Sequence, residues 1–252
     1  MKERGVEIVD SIDELLTKVD CVLLETNDGR PHLEQLIPCL KAGKRTFIDK
    51  PIAGSLADAV AIFEASKEFD VPVFSSSSLR YGKNTQAARN GALGKTVTFC
   101  EASSPASLEK THPDLFWYGI HGVEALFAVM STGCQSVRRT SEDGKIVVTG
   151  KWPMDRTGVY REGKGYSGRA RGSSGEGPIG SYDGYRPLVV DIVKYFKTGT
   201  VPVAPAETLE IYAFMEAADE SKRQGGKVIR LEDVMTKARQ DAEVRLKELG
   251  VR

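Results

Sequence analysis

The sequence predicts an α/β architecture followed by an α+β architecture: a partial parallel sheet, then a domain with a largely antiparallel open sheet. Two observations predict it. Short apolar runs alternate with helical patterns through the first 80 residues, which is typical of right-handed crossovers and a parallel sheet. After the four serines Ser75–Ser78, hairpin-like strands mix with helices. We therefore predict one domain over residues 1–80 and a second over residues 81–252.

The elements of the first half follow from apolar spacing and from turn residues. Cys21–Leu24 is a continuous apolar run, as expected for a strand covered on both faces. Ser11 can cap the first helix, Pro31 suits the first turn of the second, and Gly43 ends that second helix. The predicted strands are 6–9, 21–24, 45–48 and 71–74, and the predicted helices are 11–19, 31–43 and 55–69.

The second half has a different pattern. Glu142-Asp143-Gly144 is a good turn between two strand-like segments and predicts a hairpin. Residues 161–184 are rich in glycine, serine and charge without periodicity, which predicts a long loop. The predicted strands are 96–102, 137–140, 145–152 and 228–231, and the predicted helices are 81–90, 116–130, 186–196, 206–223 and 232–249.

Composition excludes several classes of function. The 252 residues are 40% hydrophobic and 28% charged, as in an ordinary globular protein. Basic and acidic residues number 35 each, so no excess of positive charge favours nucleic acid or an anionic membrane. No apolar run approaches the roughly 20 residues that span a bilayer, and the N-terminus lacks a signal-peptide pattern. We expect a cytoplasmic protein, with its four cysteines reduced.

Two segments match the GxGxxG pattern formally, Gly163–Gly168 and Gly175–Gly180. The pattern binds pyrophosphate only where a strand leads into it and a helix begins from it. Neither segment precedes a predicted helix, and Pro178 interrupts the second. A flexible surface loop or a lid is the better interpretation.

Lys50 and His121 are the strongest candidates for chemistry. Lys50 ends a predicted parallel strand and precedes Pro51, so it leaves the strand in extended geometry, at the edge where such sheets hold ligands. Its ammonium could hydrogen-bond a substrate hydroxyl and share that proton while hydride leaves the carbon. His121 could act as an acid or base near neutral pH. The alternatives are a solvated lysine and a structural core histidine. If the site is enzymatic, both side chains must face one cavity between the two halves.

The segment from Val19 to Ile52 resembles the second half of the nucleotide domain of the Gfo/Idh/MocA oxidoreductases, the relatives of glucose–fructose oxidoreductase and inositol dehydrogenase. The family pattern is a buried strand ending in Thr, a loop with His, a helix, Ala-Gly-Lys, a short strand and Glu-Lys-Pro. The corresponding residues here are Val22–Thr26, His32, Ala42-Gly43-Lys44, Phe47-Ile48 and Asp49-Lys50-Pro51. Further along, Gly119-Ile120-His121 resembles the start of the family's Asp-x-Gly-x-His helix.

The resemblance implies a partial Rossmann-like fold and hydride transfer between NAD or NADP and a sugar, polyol or related hydroxy compound. It implies Lys50 and His121 as catalytic residues. The cofactor-binding residues it implies are Thr26, Asn27, His32, Asp49 and Lys50. The substrate-binding residues it implies are Arg80, Tyr81, Trp117, Tyr118 and Tyr185. No metal is expected, because the three histidines lack ligand spacing. Besides the substrate, the resemblance implies further copies of the same chain as partners. They would assemble through the second-domain sheet into a homo-dimer or homo-tetramer.

The family's glycine-rich phosphate turn has no counterpart in this sequence. We therefore expect the sequence to begin late, as an incomplete form of a dehydrogenase. The alternative is a sugar-binding or oligomer-forming descendant that no longer binds NAD(P); Trp117, which stands where the family has an Asp, favours it, since tryptophan often stacks on sugar faces. A third possibility is a lyase or hydrolase that uses redox chemistry on glycosides.

Overall fold

The computed structural model describes residues 2–252. Its helices are α1 (Ile12–Leu16), α2 (His32–Lys41), α3 (Leu56–Glu68), α4 (Lys83–Arg89), α5 (Ile120–Met130), α6 (Arg186–Thr198), α7 (Pro205–Arg223) and α8 (Leu231–Glu248). Its strands are β1 (Cys21–Leu24), β2 (Arg45–Ile48), β3 (Val73–Phe74), β4 (Val97–Ser104), β5 (Ser136–Glu142), β6 (Lys145–Lys151), β7 (Thr157–Glu162), β8 (Ser167–Gly172), β9 (Gly175–Ile179) and β10 (Ile229–Arg230).

The predicted parallel sheet is confirmed as a three-stranded sheet in the order β1-β2-β3. Ser11 accepts a hydrogen bond from the backbone N–H of Glu14 and caps α1, as its position predicts. Ser55 caps α3 in the same way, through the N–H of Asp58. The predicted strand at Val6–Val9 is wrong: these residues have no strand partner.

The two faces of this sheet have different covers. Ile48 packs into the core that α2 and α3 complete. Its neighbour Phe47 points to the opposite face, because successive strand residues alternate. There Phe47 and Phe74 pack against Leu188 and other residues of α6. β1 was expected to be covered on both faces, but Leu23 is 53% exposed, since the cover provided by α6 is centred on β2 and β3.

The remaining strands form a seven-stranded, mostly antiparallel sheet in the order β10-β5-β6-β7-β4-β8-β9. Only β4 and β7 pair in parallel. The β5–β6 hairpin turns at Asp143 and Gly144, both with positive φ, as the turn sequence predicts. Helices α5 and α7 pack on this sheet, against β4 and β5 respectively, and bury its apolar face. The predicted fold class is therefore correct for both parts.

The long loop predicted over residues 161–184 is wrong. Its first two residues end β7, and its middle part forms β8 and β9, which pair with each other, while β8 also pairs with β4. Glycine makes this possible, because a Cβ at Gly168 would lie 2.3 Å from the carbonyl oxygen of Glu101. The first GxGxxG match thus connects β7 to β8, and the second lies in β9.

Helix α6 lies late in the sequence but packs on the first sheet. The phenol of Tyr195 accepts a hydrogen bond from the N–H of Thr46 at 3.2 Å and donates to the carbonyl of Pro72. Arg45 donates to the carbonyl of Phe196 at 2.6 Å. The division of the chain into two domains at residue 80 stays a prediction. Helix α6 follows this division in sequence but packs on the sheet that precedes it.

In the part of the chain that the structure describes, no helix is long and apolar enough to cross a membrane. The four cysteines are free, as expected: Cys39, Cys100 and Cys134 are buried and Cys21 is half-buried.

Candidate functional site

A cavity of about 280 Å³ opens at the carboxyl ends of β2 and β3, between the first sheet, α5 and α6. This is the edge at which open parallel sheets bind ligands. Its lining residues are Glu25, Phe47, Asp49, Lys50, Ser76, Ser77, Ser78, His121, Tyr185, Leu188, Val189 and Ile192. One wall is therefore apolar and belongs to α6, while the other groups are polar and come from strand ends and from α5.

Lys50 and Asp49 reach the cavity because β2 ends immediately before them. The N–H of Asp49 still bonds to the carbonyl of Leu24 on β1, at 2.9 Å, so the strand direction is kept up to the site. Lys50 then points its ammonium over the ring of Tyr118, 5.9 Å from its centre. Burial raises the pKa of Asp49, and a hydrogen bond from the backbone of Lys50 and then the charge of Lys50 oppose this. Burial and then the charge of Asp49 also raise the pKa of Glu25.

His121 lies in the first turn of α5, and its side chain lines the same cavity. Its ring contacts the rings of Tyr118 and Tyr166 edge-on, with centroids 5.0 and 5.9 Å away. Burial, and then the charge of Lys50, lower the pKa of His121 to about 3. The imidazole is thus neutral at pH 7, and the expectation that it titrates near neutral pH is corrected. The structure brings Lys50 and His121 to one cavity, as the enzymatic interpretation requires.

Ser77 supplies the hydrogen-bond partner of His121. Its Oγ lies 2.7 Å from His121 Nδ1 and accepts a 3.1 Å bond from the N–H of Leu79. The neighbouring Ser76 donates to a carboxylate oxygen of Glu124 at 2.8 Å. The serine segment therefore connects the end of β3 to α5.

Arg80, expected at the substrate, instead lies beside the cavity in a buried ion network. It is 2% exposed and pairs with Glu124 at 2.6 Å and with Glu207 at 2.7 Å. Arg89 adds a second cation to Glu207, at 3.1 Å. These contacts join the segment after β3 to α4, α5 and α7. Arg80 therefore holds in place the serine segment and α5, which form the polar wall of the cavity.

The residues expected around the cofactor divide into two groups. Asp49 and Lys50 line the cavity. His32 is fully buried and ties the loop after β1 to the segment after β2, with Nε2 2.9 Å from the carbonyl of Thr26 and Nδ1 3.2 Å from that of Ile52. Thr26 bonds to Gln35 at 2.8 Å. Asn27 is exposed on the same loop.

The expected substrate residues are also divided. Tyr185 lines the cavity and is 64% exposed, so it stands at the opening. Tyr118 lies under Lys50 and accepts a 3.2 Å hydrogen bond from the hydroxyl of Tyr166. Tyr81 packs instead with the core between α6 and the first sheet. Trp117 lies outside the lining, against His112 at a ring distance of 5.1 Å.

The arrangement fits one end of a dinucleotide. A nicotinamide ring would find a polar edge, two carboxylates and a cation at Glu25, Asp49 and Lys50. Within residues 2–252 neither GxGxxG match lies between a strand and a helix, because both are parts of β-structure, so neither is placed to hold a pyrophosphate. Within those same residues no group of three or more His, Cys, Asp or Glu side chains is placed to hold a metal ion.

Sequence reasoning missed several residues of the site. Ser77 was not predicted as a site residue, although its position shortly after the parallel strand β3 is a signal that could have found it. Glu25 follows β1 in the same way. Tyr166 and Tyr182 lay inside the predicted loop, so only the packing of β8 reveals that their rings adjoin, at 6.1 Å.

Comparison with known proteins agrees with this geometry. Residues 1–77 match the model of the GFO_IDH_MocA oxidoreductase family, described as an NAD-binding Rossmann fold. Over 81 residues the chain is 36% identical to myo-inositol 2-dehydrogenase of Thermotoga maritima, a match that covers 31% of this chain and spans only 24% of that relative.

Solved structures match over most of the chain. A probable dehydrogenase from Thermotoga maritima superposes with a TM-score of 0.76 at 22% identity, covering 92% of this chain and 87% of that one. Myo-inositol dehydrogenase from Lactobacillus casei, in complex with NAD(H) and myo-inositol, gives 0.73 at 16% identity, with coverage of 90% and 82%. At these identities the likeness establishes the fold. The match to the Gfo/Idh/MocA oxidoreductase family is confined to residues 1–77 of the 252, and this segment is similar to that family.

Proposed function

We propose that this protein is an NAD(P)-dependent oxidoreductase that acts on a sugar, polyol or related hydroxy compound, with Lys50 as its proton-transfer group and His121 as a hydrogen-bonding group at the same substrate oxygen. The observation that carries the proposal is their meeting in one cavity at the carboxyl edge of a parallel sheet. Tyr118 supports it, because its ring centre lies 5.9 Å from Lys50 Nζ and 5.0 Å from the ring of His121.

The chain's own residues would manage the hydroxyl proton. When bound, the nicotinamide supplies or accepts the hydride. In the reducing direction the ammonium of Lys50 gives a proton to the carbonyl oxygen as its bond to carbon becomes single, and in the oxidising direction the amine takes it back. His121 steadies the same oxygen. The ring of Tyr118 under Lys50 limits where the ammonium can lie.

The cofactor side is proposed for the loop after β1 and the end of β2. Asp49 and Lys50 would flank the nicotinamide, while Thr26, Asn27 and His32 shape the loop beside it. The buried His32 holds that loop through two backbone carbonyls, so it would act by positioning. The NAD-binding description of the matched family supports this assignment.

The substrate class is proposed from the other wall. Tyr118, Tyr166 and Tyr185 place aromatic surface and hydroxyl groups beside Lys50 and at the cavity opening, a combination that suits a sugar ring. Two of the similar proteins described above are inositol dehydrogenases, which supports the same class of substrate.

The test is oxidation of a panel of polyols and sugars with NAD and NADP, followed by the absorbance of the reduced nicotinamide. We expect turnover with at least one substrate and a loss of about 10²–10⁴-fold in Lys50→Ala. Lys44→Ala, at the opposite end of β2, is the matched control and should keep full activity. Equal activity of Lys50→Ala and the native chain would refute the assignment.

The alternative is a sugar-binding descendant that no longer binds NAD(P). Trp117, which stands where the family has an Asp, favours it. Calorimetry on the 252-residue chain separates the two: NADH binding that Lys50→Ala weakens supports the oxidoreductase, whereas sugar binding without NADH binding supports the alternative.

We also propose a homo-dimer or homo-tetramer formed through the open face of the seven-stranded sheet. That face carries ion pairs such as Glu101 with Arg161 and with Arg169, so the contact would be polar. Light scattering at low and high salt tests this, and a monomer at every salt concentration would exclude it.

A further inference from the structure

The hydrogen bonds of Ser77 determine which nitrogen of His121 carries the proton. A serine hydroxyl has one hydrogen to donate and two lone pairs to accept with. One lone pair of Ser77 Oγ is used by the N–H of Leu79, at 3.1 Å. The remaining contact of Oγ is His121 Nδ1 at 2.7 Å, and Ser77 is 2% exposed. Within residues 2–252, no other acceptor lies in reach of the hydroxyl hydrogen.

Two arrangements of this pair are conceivable, and they differ in the hydrogen that is left over. If Nδ1–H donated to Oγ, the hydroxyl of Ser77 would be buried without an acceptor, which is unfavourable. If Oγ–H donates to Nδ1, the buried hydroxyl hydrogen has an acceptor, and the proton of the neutral ring lies on Nε2, on the side away from Ser77. We propose that Ser77 is a positioning residue that fixes His121 as the Nε2–H tautomer and thereby makes it a hydrogen-bond donor toward the cavity.

The surroundings of the ring agree with a neutral donor. His121 lies in the first turn of α5, where the helix dipole disfavours a cation. Lys50 approaches from the end of β2, and the rings of Tyr118 and Tyr166 cover the imidazole edge-on. The one carboxylate nearby on α5, that of Glu124, is engaged by Ser76 and Arg80. Nε2 makes no hydrogen bond inside the described part of the chain, so it is free for a ligand.

The consequence for catalysis rests on the proposed function. Lys50 and His121 then offer two donors to one substrate oxygen, which suits a carbonyl or an alkoxide. Hydride adds to the carbonyl carbon, the π electron pair moves to oxygen, and the proton comes from Lys50. His121 keeps its own proton throughout and polarises the oxygen, as a neutral imidazole can.

Nitrogen-15 NMR of the ring tests the tautomer on the full chain without any substrate. A protonated ring nitrogen and an unprotonated one have well separated chemical shifts. The chain has three histidines, and His121→Asn assigns the signal by its loss. We expect Nε2 to be the protonated nitrogen of His121 at pH 7.

Variants separate positioning from mere packing. Ser77→Ala should move both nitrogen shifts of His121 toward averaged values, because the tautomer is no longer fixed, and Ser77→Thr should restore the native pattern. Ser78→Ala is the matched control, since Ser78 lines the same cavity but makes no side-chain hydrogen bond among residues 2–252, and it should leave the signal unchanged.

A protonated Nδ1 in the native chain would overturn the inference, as would a native pattern in Ser77→Ala. If Ser77→Ala does not fold, the native spectrum and Ser77→Thr still decide. The spectrum is independent of turnover, so an inactive chain with the Nε2–H tautomer would refute only the proposed function.

Discussion

Replacing Arg80 by Met should destabilise the protein strongly, and more at neutral than at acid pH. The side chain of Arg80 is 3% exposed and pairs with the carboxylates of Glu124 and Glu207, which are 5% and 8% exposed. Removing one partner of a buried pair costs about 3–5 kcal/mol, because the remaining charge stays buried without compensation. For a chain of this size the melting temperature should fall by about 6–20 °C.

The pH dependence follows from Glu207. Burial alone would raise its pKa, but the charges of Arg80 and Arg89 lower the pKa of Glu207 overall. A lowered folded pKa gives stability that is present above the unfolded pKa and is lost as pH falls through the folded one. Without Arg80, only Arg89 opposes the effect of burial, and the pKa of Glu207 rises. Protonation in acid then removes the uncompensated buried charge and reduces the destabilisation of the variant. The difference between native chain and variant should therefore shrink as pH falls from 7 toward 4.

Urea unfolding followed by circular dichroism at a series of pH values measures this. Arg245→Met is the matched control. Arg245 likewise pairs with carboxylates, three in number, but its side chain is 36% exposed. We expect its replacement to lower the free energy of unfolding by less than about 1 kcal/mol. A loss below about 1 kcal/mol in Arg80→Met, or a loss that grows in acid, would refute the reasoning.

Three further predictions concern the site and the second sheet. The pKa of His121 is lowered to about 3 in the folded chain, so its contribution to stability is present above the unfolded pKa of about 6.5 and falls on acidification. Between pH 7 and 5 the free energy of unfolding should fall by about 2 kcal/mol. This loss should disappear in His121→Asn, which urea unfolding at a series of pH values would reveal. Gly168→Ala should cost about 1–3 kcal/mol, since its Cβ would meet a carbonyl oxygen at 2.3 Å, while Gly165→Ala, with open space around it, should change the unfolding midpoint little. Tyr166→Phe removes the bond to Tyr118 and should raise KM for a sugar more than it lowers kcat; an unchanged KM would argue against its place beside the substrate.

Local pattern predicted the parts of the fold that depend on near neighbours in the sequence. The apolar runs at β1 and β2, the cap Ser11 and the turn at Gly144 need only adjacent residues, and all were correct or within a few residues. β8 was not predicted, because its glycines give no alternation of apolar and polar side chains. It is a strand because it pairs with β4.

The candidate site was predictable where a residue type and a strand end coincide. Lys50 was found in this way, whereas His121 was found from its residue type and from a family resemblance, and the two share a cavity. The role of Arg80 was not, since its partners Glu124 and Glu207 lie 44 and 127 positions away in sequence. The pairing of Ser77 with His121 also spans 44 positions, so only the folded chain reveals it.

The return of α6 to the first sheet constrains how the protein can be made. Phe47 and Phe74 stay open to water until Leu188, Ile192 and Tyr195 arrive, so during synthesis the first sheet must wait while more than a hundred further residues leave the ribosome. A gene cut after codon 80 would yield a fragment with a bare aromatic face, which chaperones would recognise and which would aggregate when they are scarce. Synthesis of the last third of the polypeptide is thus the event that closes the wall beside Lys50.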